Sequence, residues 1–149
     1  IRAWGVSNLD TDDMQELFAQ PDGTHCAANQ VLYNVGSRGI EYDLLPLMRQ
    51  HQIPVMAYCP LAQAGRLRRG LLNHPALRQI AGEHHATVPQ ILLAFLLAQP
   101  GVLPIPRTGS AQHAQQNAAA AEIRLSAEEL ALLDAAFPKP KRKTRLEIV

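Results

Sequence analysis

Residues 53–61 read IPVMAYCPL, and this stretch decides the fold. From Ile53 to Tyr58 no position is charged and the run is bounded by prolines, too short for a helix but right for a strand buried on both faces. Such strands belong to parallel sheets covered by helices. Upstream, Asp43 to His51 carries Leu44, Leu45, Leu47 and Met48 at helical spacing, and Cys26 to Leu32 (CAANQVL) reads as another strand. Before that, Asp10 or Thr11 caps a helix to Gln20 with Met14, Leu17 and Phe18 on one face, stopped by Pro21-Asp22-Gly23, and Ile1 to Val6 (IRAWGV) is a strand. Downstream, Pro60 to Leu72 reads as a loop and Pro75 to His84 as a helix. The capping box Thr87-x-x-Gln90 opens a helix from Pro89 to Ala98, which Pro100-Gly101 ends. Val102 to Ile105 is the fourth strand; Ser110 then caps a helix to about Ala121, and Ser126-x-x-Glu129 opens a last one to Phe137.

Strands alternating with helices in this way make an α/β fold with four parallel β/α units. A doubly wound open sheet and a closed eight-stranded barrel both use such units. No G-x-G-x-x-G follows any strand, which argues against the dinucleotide-binding open sheet. Four units in 149 residues make half of a barrel whose usual size is about 250 residues.

Composition narrows the functions. With 47% hydrophobic residues and a formal charge of +1, the chain has material for one core and no broad basic face for nucleic acid or an anionic membrane. The one charge run, Lys139, Lys141, Arg142, Lys143 and Arg145, lies in a proline-interrupted tail and is read as a solvated end, with a cofactor-phosphate contact or a polyanion patch as alternatives. Cys26 and Cys59 match no metal spacing and fit a reducing cytoplasm. No apolar stretch approaches the roughly 20 residues of a membrane span, and no signal core is seen; the chain opens at Ile1 inside what reads as a strand. The adjacent His84 and His85 diverge rather than converge on a metal, and Trp4 is expected to pack.

In a barrel, the chemistry stands at the C-terminal ends of the strands. Here these are Gly5-Val6-Ser7-Asn8, Asn29-Gln30, Tyr58-Cys59-Pro60-Leu61, and Ile105-Pro106-Arg107-Thr108-Gly109-Ser110. In this order and spacing they resemble the aldo-keto reductases, whose second-half strands end in GVSN-, NQ-, YSPL- and IPKS/IPKT-type segments. The resemblance runs along the whole chain. Segments such as Gly36-Ser37-Arg38-Gly39-Ile40-Glu41-Tyr42-Asp43 look most like bacterial members of the methylglyoxal-reductase type.

The resemblance implies the second half of a (β/α)8 barrel, residues 1–149 as a single cofactor-binding half, and NADP as cofactor. Ser7, Asn8 and Gln30 would hold the nicotinamide amide, Tyr58 would stack on the ring, and Pro60, Leu61 and Ala62 would line the pyrophosphate. Cys59 replaces the usual Ser and is read as a small filler beside the cofactor, not a nucleophile. Arg107 replaces the usual Lys, and Thr108 and Ser110 offer hydroxyls at a helix N-terminus, so NADPH is preferred to NADH. His113 stands where the family has a basic residue, Gln116 falls where an acidic one is usual, and Asn117 matches the adenine contact. The Tyr, Lys, Asp and His of carbonyl reduction lie on first-half strands and have no counterpart in the chain; neither Tyr33 nor Tyr42 matches them. The partners implied are a small aldehyde or ketone and the missing half of the barrel. A half-barrel that self-associates through its raw edges as a non-catalytic binding protein is the leading alternative, and an unrelated barrel enzyme with a phosphate site after the fourth strand is another.

Overall fold

The computed structural model describes residues 1–149. Its four strands, β1 (Val6–Ser7), β2 (Asn29–Leu32), β3 (Val55–Tyr58) and β4 (Val102–Pro104), form one sheet in the order β1-β2-β3-β4, every pair parallel. A doubly wound sheet reverses its strand order at a switch point, whereas a barrel wall keeps chain order, as here. Each strand is shorter than its sequence suggests. Ile1 to Gly5 lead into β1 without regular pairing, although Ala27 N–H still donates to Trp4 O at 2.8 Å. Gly5 is needed there, because a Cβ would stand 2.7 Å from Ala28 O.

Seven helices connect and cover the sheet: α1 (Thr11–Phe18), α2 (Leu44–Gln50), α3 (Arg66–Leu72), α4 (Pro75–Glu83), α5 (Val88–Leu97), α6 (Ala111–Ala119) and α7 (Ala127–Ala136). The predicted starts hold chemically. Asp10 accepts from Thr11 N–H at 2.8 Å and its own N–H donates to Asp13, Thr87 N–H donates to Gln90 at 2.9 Å, and Ser126 and Glu129 cap each other reciprocally. The segment Pro60–Leu72 is not all loop. Its second half is α3, whose RLRRGLL buries only Leu71 and carries Gly70 inside, so apolar periodicity hardly marks it.

The pairing registers align Val6, Asn29, Val55 and Val102 in one row across the sheet and Ser7, Gln30, Met56 and Leu103 in the next. Successive side chains point to opposite faces. On the face of the first row, Asn29, Val31, Val55 and Ala57 are fully buried, joined in the core by Ile91, Leu92, Phe95 and Leu96 of α5. On the other face Leu32 is buried, but Gln30, Met56 and Tyr58 are only half-buried and Leu103 is 52% exposed. Each large side chain buried on the helix side contributes about 1.5–3 kcal/mol; the opposite face lacks that cover. Trp4 does not pack as expected. It precedes β1, an edge strand that pairs only with β2, and is left exposed.

The basic tail is likewise not simply solvated. Lys143 donates to Asp10, to Thr11 at 3.1 Å and to Asp43 at 2.8 Å, and Lys139 pairs with Asp134 at 3.4 Å. Lys143 thus ties the C-terminal segment to the acidic start of α1 and to the residue preceding α2. No helix is long and apolar enough to cross a membrane.

Candidate functional site

The strand exits bring the predicted residues together in two groups. In the first, at the ends of β1, β2 and β3, Ser7 Oγ donates to Gln30 O at 3.0 Å and Tyr58 Oη donates to Asn8 Oδ1 at 3.1 Å. Asn8 N–H also donates to Gln30 O. With Asn8 Oδ1 occupied by Tyr58, its NH₂ remains as a donor, and the Gln30 amide offers both a donor and an acceptor. Ser7, Gln30 and Tyr58 lie on the less covered face of the sheet, accessible to a planar ligand.

The second group lines a cleft of about 270 Å³, formed by Leu61, Arg68, Thr87, Pro89, Arg107, Thr108, His113, Gln116 and Asn117. Six of these nine were expected from sequence. His113, Gln116 and Asn117 reach it from one face of α6, being spaced i, i+3 and i+4. Ser110 does not line the cleft; it caps α6, accepting from His113 N–H at 3.4 Å, while Thr108 Oγ1 accepts from Ser110 N–H at 3.1 Å. The cleft contains two arginines, the start of α6 close by and no carboxylate, a lining whose charge suits an anion.

A turn joins the groups: Ala62 N–H donates to Cys59 O at 2.9 Å. Three residues at these exits, Asn8 (φ 56°), Cys59 (φ 49°) and Ala62 (φ 57°), are left-handed. Asn tolerates this, but Cys and Ala do so at a cost on the order of 1–3 kcal/mol each. Leu61 faces the cleft, whereas Pro60 and Ala62 are buried and shape the turn. Cys59 is half-buried and reduced, consistent with a filler.

Two asparagines to which the sequence assigned no role, Asn29 of the Asn29-Gln30 exit and Asn34, hold this geometry. Asn29, fully buried, donates from Nδ2 to Leu9 O at 2.8 Å and so anchors the turn carrying Asn8. Asn34, also buried, donates to Cys59 O at 3.1 Å and accepts from Gly36 N–H at 3.0 Å, fixing the turn after β3. Asn29 Oδ1 has no partner, leaving a buried acceptor at a cost of about 1–3 kcal/mol. Arg68, Thr87 and Pro89 were also missed; the first sits on the helix read as loop.

The remaining candidates are occupied elsewhere. His84 is committed to Glu129 at 2.7 Å, and His85 is exposed. Tyr33 is fully buried and donates to Glu41 at 2.7 Å; burial and then the Glu41 charge push its phenol far above the ordinary range.

Residues 1–137 match the aldo/keto reductase family. The chain belongs to that family. Among aldo/keto reductases, it is 58% identical over 149 residues to the methylglyoxal reductase YeaE of Escherichia coli, covering all of this chain and 52% of that protein. It is 31% identical over 135 residues to the glyoxal reductase of Bacillus subtilis, covering 91% of this chain and 46% of that protein. An aldo-keto reductase from Klebsiella pneumoniae, solved in complex with NADPH, superposes with a TM-score of 0.96 at 61% identity, over 100% of this chain and 52% of that one. The chain spans about half the length of the curated relatives it matches.

Proposed function

We propose that this chain is the cofactor-holding half of an NADPH-dependent reductase of small aldehydes and ketones. The observation that carries the reading is the carboxylate-free cleft with Arg107 and Arg68, joined through the Cys59–Ala62 turn to the amide-bearing group of Asn8 and Gln30. That is the donor set an elongated, polyanionic dinucleotide needs: amides and an aromatic at one end, cations and hydroxyls at the other. The relatives' names, methylglyoxal and glyoxal reductase, support a small carbonyl as substrate.

In this reading Asn8 and Gln30 grip the carboxamide and Tyr58 covers one face of the ring. Arg107, Thr108 and Asn117 hold the adenosine end, and His113 lines the same cleft. NADPH, when bound, supplies the hydride. Positioning of this kind is worth several kcal/mol of barrier only if the reacting carbonyl also receives a proton. Of the three tyrosines, Tyr33 is sealed in the core against Glu41, the Tyr58 hydroxyl is spent on Asn8, and Tyr42 is exposed just before α2 and lines no part of the cleft. The proton donor is therefore assigned to the preceding β/α units of a complete barrel, which would also cover the face bearing Ser7, Gln30, Met56 and Leu103.

The test is NADPH oxidation with methylglyoxal, by the chain alone and by the chain fused behind the N-terminal half of the E. coli reductase. The isolated chain is expected to show no turnover and the fusion to show it. Turnover by the chain alone contradicts the assignment of the proton donor; a folded fusion that binds no NADPH removes the cofactor assignment.

A further inference from the structure

Helix α3 carries three arginines, Arg66, Arg68 and Arg69, within seven residues. Arg66 and Arg69 face solvent, but Arg68 is half-buried and lines the cleft opposite the α6 residues. Its placement is built into the backbone. Gly65, at φ 128°, turns the chain into α3 through a conformation that L side chains rarely adopt. Leu71 then anchors the helix, being 2% exposed in the main core. The ion pairs of the chain draw on His25, Arg38, His84, Lys139 and Lys143, never on Arg68 or Arg107. Two guanidinium groups sharing one cleft repel each other, and here no carboxylate of the lining offsets that repulsion. Gln116 lines the same cleft and brings no charge to it.

We infer that Arg68 is a second phosphate ligand, closing with Arg107 on a nucleotide that carries a phosphate on its ribose, and that it sets the preference for such nucleotides. This deepens, and rests on, the reading of the cleft as the adenosine end of the cofactor site. Two planar forks on one phosphate satisfy more of its oxygens than one fork and a hydroxyl can.

The experiment titrates the chain with adenosine 2′,5′-bisphosphate and, separately, with adenosine 5′-monophosphate by calorimetry, in wild type, Arg68→Ala, Arg68→Lys and Arg107→Ala. Arg68 bonds nothing within the chain, so thermal unfolding of its variants should match wild type and confirm that they fold. Arg68→Ala is expected to weaken the bisphosphate about tenfold or more and the monophosphate about twofold or less, with Arg68→Lys between, since it keeps charge and loses the fork. An unchanged bisphosphate affinity in Arg68→Ala, alongside a loss in Arg107→Ala, overturns the role of Arg68 and leaves the cleft assignment standing. Equal losses for both nucleotides overturn the specificity role. If wild type binds neither, the reading of the cleft falls and this inference with it.

Discussion

Arg38 and Arg107 are the same side chain in opposite circumstances. Arg38 is 5% exposed and fully engaged: it donates to Glu41 at 2.6 and 2.8 Å, to Asp134 at 2.8 Å and to Phe137 O at 2.6 Å, and lies 5.1 Å from the centre of the Phe95 ring. Burial works against its charge, but Glu41 and Asp134 outweigh that and hold the guanidinium above its ordinary value. Arg107 is exposed, shares its cleft with another cation and has no carboxylate nearby. The first charge has been spent on clamping the segment after β2 to α7; the second has no ion-pair partner in the chain. Stability and binding should therefore separate cleanly between these two regions.

The largest effect should come from Arg38→Ala. It leaves the Glu41 carboxylate, whose side chain is 7% exposed, with no cation and only the Tyr33 hydroxyl as donor, and should cost about 3–5 kcal/mol in urea unfolding. A loss under about 1 kcal/mol would mean that the network is ornamental. Asn34→Ala comes next. It leaves Cys59 O with Ala62 N–H alone and Gly36 N–H without its acceptor at the strained turn, with an expected loss of about 1–3 kcal/mol and weaker binding of NADPH and NADH alike; intact binding would show that the turn holds without Asn34. Arg107→Ala should reverse the pattern, leaving stability within about 0.5 kcal/mol while NADPH affinity, followed by nucleotide fluorescence, falls at least tenfold.

How much of this was readable beforehand follows from the range of each interaction. The strand exits were legible because a short apolar run and its polar end are contiguous, and the helix starts because Asp10, Thr87 and Ser126 cap residues three positions away. Asn29 and Asn34 were not, because their partners are backbone carbonyls 20 and 25 residues distant. Helix α3, and Arg68 with it, stayed hidden because only Leu71 is fully buried and Gly70 interrupts the pattern. The tail was read only in part for the same reason: its basic residues are exposed as expected, but Lys143 also meets Asp10 across 133 residues.

That long-range contact supplies the smallest prediction. Partial burial opposes the charge of Asp10, yet Lys143 and Thr11 N–H outweigh it and hold the carboxyl below its ordinary value of 3.8. For Lys143, burial is likewise outweighed by Asp10 and Asp43, which raise it above 10.5. The contact therefore contributes fully between these limits. The Asp10 share fades as pH falls below 3.8 and through the lower folded value, and the Lys143 share as pH rises beyond 10.5. Lys143→Ala should cost about 1 kcal/mol or less at neutral pH and flatten both flanks of the stability profile; an unchanged profile would show that the tail contact is not formed in solution.

The central claim, that this half of the barrel holds the cofactor, is tested most directly by titrating the purified chain with NADPH and with NADH and following nucleotide fluorescence. Saturable binding that favours NADPH at least tenfold, and loses that preference in Arg107→Ala, is the result the account predicts. A folded chain that binds both nucleotides equally, or neither, would contradict it.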